Sequence, residues 1–411
     1  MMGGHADMSI LHDPARATED GKRTLDHVRA MRDEFVDFLA TLCRVESPTD
    51  HPETQGDVHA LIGPAFEELG FDVRIVPGRV SGNHLLAVPK RRRRGAPTQL
   101  LMGHSDTVWP LHTLERMPVH IDGGRLYGPG TLDMKGGLTQ IVFALRALRD
   151  LGAEPSLSPV IFVNADEEVG SPDSKRHVRR LARQASRALV LEPSLGPSGL
   201  IKTARKGVGQ FEIVVRGRAA HAGLDPEAGA SAILELSHVI QQVNALNAPE
   251  LGRTLNVGLI DGGTRPNVIA AEARCVVDVR VVTSEDGREV ERLLLAIEPA
   301  TAGVSLEVSG GVRIAPLERT ARNIRLWELA QEAGSDLGFG LDHTLAGGGS
   351  DGNTTSLFTA TLDGLGCVGD GAHADHEHIV IDPSLDRCAI LARLLMAPDD
   401  NSAFMTEGGE S

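Results

Sequence analysis

Between residues 207 and 315 the chain carries a complete β-α-β-β-α-β pattern, and this restricts what the rest can be. GQFEIVVRG alternates in polarity, placing Phe211, Ile213 and Val215 on one face of a half-exposed strand. A helix over 228–246 carries Ile233, Leu236, Ile240, Val243 and Leu246 at helical spacing. The strands TLNVGLID and ARCVVDVRVV follow, then a helix near 285–297 and a last strand, VSLEVS. Such a unit buries its own core, so 207–315 reads as a domain inserted into a larger one. The flanks, 21–206 and 316–397, have a different texture. Short apolar strands (FDVRIV, LLAVP, QLLMGH, VIFVNA, ALVLEP) alternate with helices such as 135–151 and 174–186, and a helix carrying Trp327 and Leu329 follows the insertion. The expected class is α/β: a mixed sheet between helices, interrupted by an α+β ferredoxin-like insert.

Val28, Met31, Phe35, Phe38, Leu39 and Leu42 predict one amphipathic helix over 24–47. The basic run Lys90–Arg94 lies between two strands and ends in Gly95 and Pro97, which predicts a solvated hairpin turn. Residues 1–20 and 398–411 read as disordered tails. A formal charge of −15 argues against nucleic acid or an anionic membrane as partner. Four scattered cysteines without a CxxC pair, and an N-terminus lacking an apolar signal-peptide core, point to a cytoplasmic protein.

The chemistry gathers at strand ends. QLLMGHSD ends a strand in His104, with Asp106 two residues on; VIFVNADEE ends in Glu167 and Glu168; ALVLEP ends in Glu192. Asp133 follows a Gly-Pro-Gly turn at the start of a helix. In open α/β sheets, sites form at the carboxyl ends of the strands. Histidine with several carboxylates and no thiolate suits a divalent ion of intermediate hardness such as zinc, cobalt or manganese. Two ions explain the excess of carboxylates better than one, and Asp133 is the plausible bridge. The segment GAHADHEHI offers His373, His376 and His378, of which His373, after a Gly-Ala approach, is favoured.

GHSDTV, YGPGTLDMKGG, NADEEVGS, LEPS and GAHADHEHI, in this order, resemble the dinuclear metallopeptidase family. That family includes glutamate carboxypeptidases, aminoacylases, acetylornithine deacetylases and succinyl-diaminopimelate desuccinylases. The resemblance spans nearly all of 25–395 and implies a zinc-peptidase-like catalytic domain whose insert is a lid and dimerisation domain. It implies that His104 and Glu192 hold one ion, Glu168 and His373 the other, with Asp133 bridging and the Asp133–Met134 peptide cis. Asp106 would orient His104, and Glu167 would be the general base toward a water between the ions. His221, in an HAG motif, would support the oxyanion, often from the partner chain of a homodimer. Asn267 and Arg280 would hold a substrate carboxylate, and Gly348 would line the pocket. For Arg280 a simple pairing with Asp278, on the same strand face, competes.

The expected activity is metal-dependent hydrolysis of an amide beside a free carboxylate, as in a glutamate-carboxypeptidase-like exopeptidase. The alternative is an N-acyl-amino-acid deacylase. The expected partners are a small peptide or N-acyl amino acid and a second copy of the chain. A binding protein that has lost its chemistry is disfavoured, because Glu167 and all five ligands are present.

Overall fold

The computed structural model describes residues 12–92 and 95–399, in two compact units. The first comprises the chain up to Thr203, then Arg319–Leu345, then the chain from Ser350. The second comprises Ala204–Glu318 and Ala346–Gly349.

In the first unit, strands β1 (Phe71–Val76), β2 (His84–Pro89), β3 (Thr98–His104), β4 (Ser158–Asn164) and β5 (Arg187–Val190) join the short strand Ala360–Leu362. Their order across the sheet is β1-β2-β4-β3-β5 and then Ala360–Leu362. β3, β4, β5 and Ala360–Leu362 run parallel, while β2 is antiparallel to β1 and β4. All seven residues of β3 are buried, as expected for a central strand covered on both faces. β4 lies between β2 and β3, so the segment holding Lys90–Arg94 is not the turn of a hairpin. The apolar run 158–164 outcompetes β3 as the neighbour of β2.

The expected helix over 24–47 is two helices, Glu19–Ala30 and Arg32–Cys43, broken at Met31. No Gly or Pro marks the break, and Val28, Met31, Phe35, Leu39 and Leu42 are buried across it. The helix Ile381–Leu395 is deeply enclosed: twelve of its fifteen residues are buried.

Residues 12–20 and 398–399, which the sequence places in the tails, are tied to the first unit. Asp13 N–H donates to Gly338 O (2.8 Å), and Thr18 caps the first helix. At the other end Arg187, itself buried, donates to Ala397 O (3.0 Å) and Pro398 O (3.2 Å). Backbone hydrogen bonding overrides the polar composition of 12–20 and 398–399; the remainder of both expected tails lies outside the described residues.

In the second unit β6 (Gly207–Arg216), β7 (Thr254–Gly262), β8 (Glu272–Val281) and β9 (Ser305–Ile314) form an antiparallel sheet in the order β7-β8-β6-β9. Helices Ala232–Ala245 and Ser284–Leu295 pack on it around Phe211, Ile213, Val215, Leu236, Val243 and Val290. No helix among the described residues is long and apolar enough to cross a membrane. All four cysteines are buried and free.

His59, 4% exposed, sets its Nε2 3.2 Å from Ser105 Oγ. Burial, with His84 nearby, pushes its imidazole down to about 4. Between pH 6.5 and 4 the unfolded chain therefore binds a proton that the folded chain refuses. The stability from a neutral His59 is full above pH 6.5 and declines as pH falls toward 4, by roughly 2–3 kcal/mol. Urea midpoints of the parent and His59→Gln, followed from pH 7 to 4, should diverge at pH 7 and converge in acid. Parallel curves would exclude His59 as a source of acid sensitivity.

Candidate metal centre

The site grows out of the sheet register. His104, the last residue of β3, lies opposite Asn164, the last of β4. The chain leaving β4 delivers Glu167 and Glu168, and the chain leaving β5 delivers Glu192. Asp133 enters from a turn in which Gly128 (φ 148°) and Gly130 (φ 72°) adopt backbone angles that side chains resist. The Asp133–Met134 peptide is cis. His373 has a left-handed backbone (φ 61°), unusual away from glycine.

Two histidines here each face Asp133 and one further carboxylate. His104 Nε2 lies 3.2 Å from Asp133 Oδ1 and 3.7 Å from Glu192 Oε1. His373 Nε2 lies 3.3 Å from Asp133 Oδ2 and 3.2 Å from Glu168 Oε2. Tetrahedral zinc ligands at ~2.0–2.1 Å from the ion stand about 3.3–3.4 Å apart, so this spacing fits. Glu168 Oε1 is buried without a hydrogen-bond partner among the described residues, a costly state that a cation relieves. Glu167 also places an oxygen within 4.8 Å of His104 and Glu192 donor atoms, so proximity alone does not separate base from ligand. His376 and His378 stay outside the cluster. His378 Nδ1 lies 2.8 Å from His376 O, and its ring centroid is 4.9 Å from that of Tyr127.

The electrostatics show a site short of positive charge. Burial disfavours a charged His104, yet Asp106, Asp133 and Glu192 overcome it and hold its imidazole well above the usual range. Asp133 and Glu168 hold His373 up to about 10. Burial, then the Glu192 carboxylate, pushes Glu167 well above the ordinary carboxylate range. Burial also raises Glu168, against the pull of His373. The carboxylates around both histidines thus favour positive charge, which bound cations would supply.

Carboxylates behind the cluster hold the frame. Asp106 presents its backbone carbonyl to His104 Nδ1 at 2.8 Å, while its carboxylate stands 3.5 Å away. That carboxylate instead accepts the backbone N–H groups of Glu167 (3.3 Å) and Glu168 (3.2 Å) and the hydroxyl of Thr49 (2.9 Å). Asp166 accepts from Asp173 N (2.8 Å) and Ser174 N (3.0 Å), pinning the turn after β4. Sequence reasoning missed Asp351, whose oxygens accept from Ser171 Oγ and Asn164 Nδ2, both at 2.7 Å. It also missed Glu377, which accepts from the turn that carries Asp133.

The remaining candidates belong to the second unit. His221 Nδ1 accepts the N–H groups of Gly223 and Leu224, both at 3.1 Å, which leaves the ring proton on Nε2. Asn267 is exposed, and its backbone carbonyl accepts Ala222 N–H (3.1 Å), tying its turn to the HAG segment. Arg280 donates Nε and Nη2 to the two oxygens of Asp278 at 2.9 and 3.0 Å, the pairing its strand position allows. Exposed Gly348 and its neighbour Gly349 offer their carbonyls to Arg205 Nη1 at 3.1 and 2.8 Å.

Residues 203–299 match the family model described as a peptidase dimerisation domain, M20_dimer. Carboxypeptidase G2 of Pseudomonas sp. (strain RS-16) is 28% identical over 374 residues, spanning 88% of each chain. Over most of its length the chain is therefore similar to the M20 metallopeptidases. Acetylornithine deacetylase of Myxococcus xanthus is 34% identical over 228 residues, covering 52% of this chain and 57% of that one. The M20 fold is shared with the crystal structure of aminopeptidase PepT from Bacillus cereus, at a TM-score of 0.75 and 22% identity over 89% of this chain and 98% of that one.

Proposed function

We propose that this chain is an M20 metallopeptidase and hydrolyses an amide bond beside a free carboxylate, in the manner of a glutamate carboxypeptidase. The observation that carries the reading is the pair of histidines that each face Asp133 and one further carboxylate, with the spare carboxylate of Glu167 beside them. The similarity to carboxypeptidase G2 over most of both chains supports the choice of substrate class. His104 and Glu192 would hold one ion, His373 and Glu168 the other, and Asp133 both; zinc suits this donor set best, with cobalt or manganese also suited. Bound ions supply Lewis-acid polarisation of the scissile carbonyl and acidify the attacking water. Glu167 takes the proton from that water and delivers it to the leaving amine. His221, its Nδ1 occupied by two backbone N–H groups, donates from Nε2 to the oxyanion. Asp106 keeps Glu167 and Glu168 in place through their backbone.

Arg280, with Asn267, would grip the substrate carboxylate, and Gly348 would line the pocket. Two guanidinium N–H groups are engaged by Asp278, and three of the five remain for a ligand. Arg280→Lys should therefore lower kcat/KM by roughly 10–100-fold for carboxylate substrates and little for their amides. Equal losses on both would make Arg280 purely a partner of Asp278. The peptidase dimerisation domain supports a homodimer formed through the second unit. Free buried thiols support a cytoplasmic setting.

Local similarity to acetylornithine deacetylase favours one second reading, removal of an acyl group from an N-acyl amino acid. A panel of C-terminal-glutamate dipeptides, pteroyl- and benzoyl-glutamate, and N-acetyl and N-succinyl amino acids separates the two. The first reading expects turnover of the glutamate-capped amides; turnover confined to the acyl amino acids would replace it with the second.

A further inference from the structure

We propose that Glu377 is the positioning residue that aims Asp133 at two cations at once, an inference that rests on the dinuclear reading above. Its side chain is 1% exposed and collects four donors. Oε1 accepts the backbone N–H groups of Leu132 (2.9 Å) and Asp133 (3.0 Å). Oε2 accepts Gly130 N–H (2.9 Å) and the indole N–H of Trp109 (2.7 Å). Its own carbonyl accepts Gly128 N–H (3.2 Å).

One carboxylate thus ties three segments together: the chain that leaves β3 after His104, the turn that carries Asp133, and the loop that carries His373. The bridge needs this. Asp133 must keep Oδ1 toward His104 and Oδ2 toward His373 within a few tenths of an ångström. The turn is built on left-handed glycines and has no helical or strand ladder of its own at 128–130, so Glu377 provides the ladder. Every donor points inward, so only an acceptor with two oxygens satisfies the set. Glutamine keeps the shape but sets an N–H₂ against N–H groups, removing up to two bonds and opposing the donors left behind. Residues that hold ligands from behind typically change metal affinity by about 10–100-fold when altered.

The test uses the full chain, stripped of metal and titrated with Zn²⁺ and Co²⁺ by calorimetry, with the visible spectrum of the cobalt form as a measure of ligand geometry. Glu377→Gln should weaken uptake of at least one ion by about 10–100-fold and alter the cobalt spectrum. Trp109→Phe, which removes one donor of four and keeps an aromatic ring, should shift both readings the same way by a smaller factor. If Glu377→Gln does not fold, Trp109→Phe alone decides. Parent-like affinity and spectrum in the variants that fold overturn the proposal, whatever their thermal stability. A parent chain that takes up fewer than two ions instead overturns the dinuclear reading, and the role of Glu377 falls with it.

Discussion

Glu167→Gln should keep both metal ions and lose nearly all turnover, whereas Glu168→Gln should lose metal. The two glutamates are adjacent, both are raised by burial, and Asp106 holds both backbones, so their difference must come from where the carboxylates point. Glu168 Oε2 faces His373 at 3.2 Å, as two ligands of one ion would. Glu167 faces the His104 and Glu192 side, where His104 also has Asp133 at 3.2 Å and Glu192 at 3.7 Å as carboxylate neighbours. Glutamine at 167 preserves shape and removes the proton acceptor. General-base catalysis contributes about 10²–10⁴-fold, and the loss should lie near the upper end, with little change in substrate affinity. Glutamine at 168 gives a poorer neutral ligand, so occupancy falls and excess zinc or cobalt restores part of the rate. Metal content and rate, measured across a metal titration for both variants, separate the roles. Metal loss in Glu167→Gln with full occupancy in Glu168→Gln would reverse them.

Removing the ions should abolish hydrolysis, and removing the shared ligand should come close to the same result. Gently purified chain should hold about two divalent ions, and a chelator should silence it until zinc, cobalt or manganese is returned. Asp133 gives one oxygen to each histidine, so Asp133→Asn should depress both occupancies, while Glu192→Gln and Glu168→Gln should each depress one. Loss of several kcal/mol of Lewis-acid stabilisation corresponds to a rate decrease of ~10³-fold or more for Asp133→Asn. Elemental analysis of the three variants, beside their rates, tests this. Full activity in metal-free protein would sink the dinuclear mechanism.

The parts of the site legible in the sequence are those where an apolar strand stops abruptly at a ligand type. His104, Glu168 and Glu192 announce themselves because an apolar run ends where polar residues begin, and the register of a parallel sheet then brings them to one edge. The Asp278–Arg280 pair was legible for a related reason, since residues two apart share a strand face. Glu377 was not. Its partners are backbone N–H groups far away along the chain, and a glutamate between two histidines in a polar loop looks like surface. The place of β4 between β2 and β3 was hidden for the same reason: strand order depends on long-range pairing, and neighbours in sequence suggested a hairpin. The break at Met31 carries no local signal.

The enclosed helix Ile381–Leu395 also sets the order in which the molecule can be made on the ribosome. Its buried residues, including Leu385, Ile390, Leu391 and Leu395, share one core with Phe35, Leu39 and Ile141 from the start of the chain. The second unit is almost contiguous, needs nothing beyond residue 318 except Ala346–Gly349, and is available to fold while synthesis continues. The first unit has to wait. For on the order of ten seconds after residue 318 is added, its early helices and strands expose the apolar surface reserved for the final helix. A stalled product that ends before Ile381 therefore carries a nearly finished insert and an open core, a natural client for chaperones and proteases.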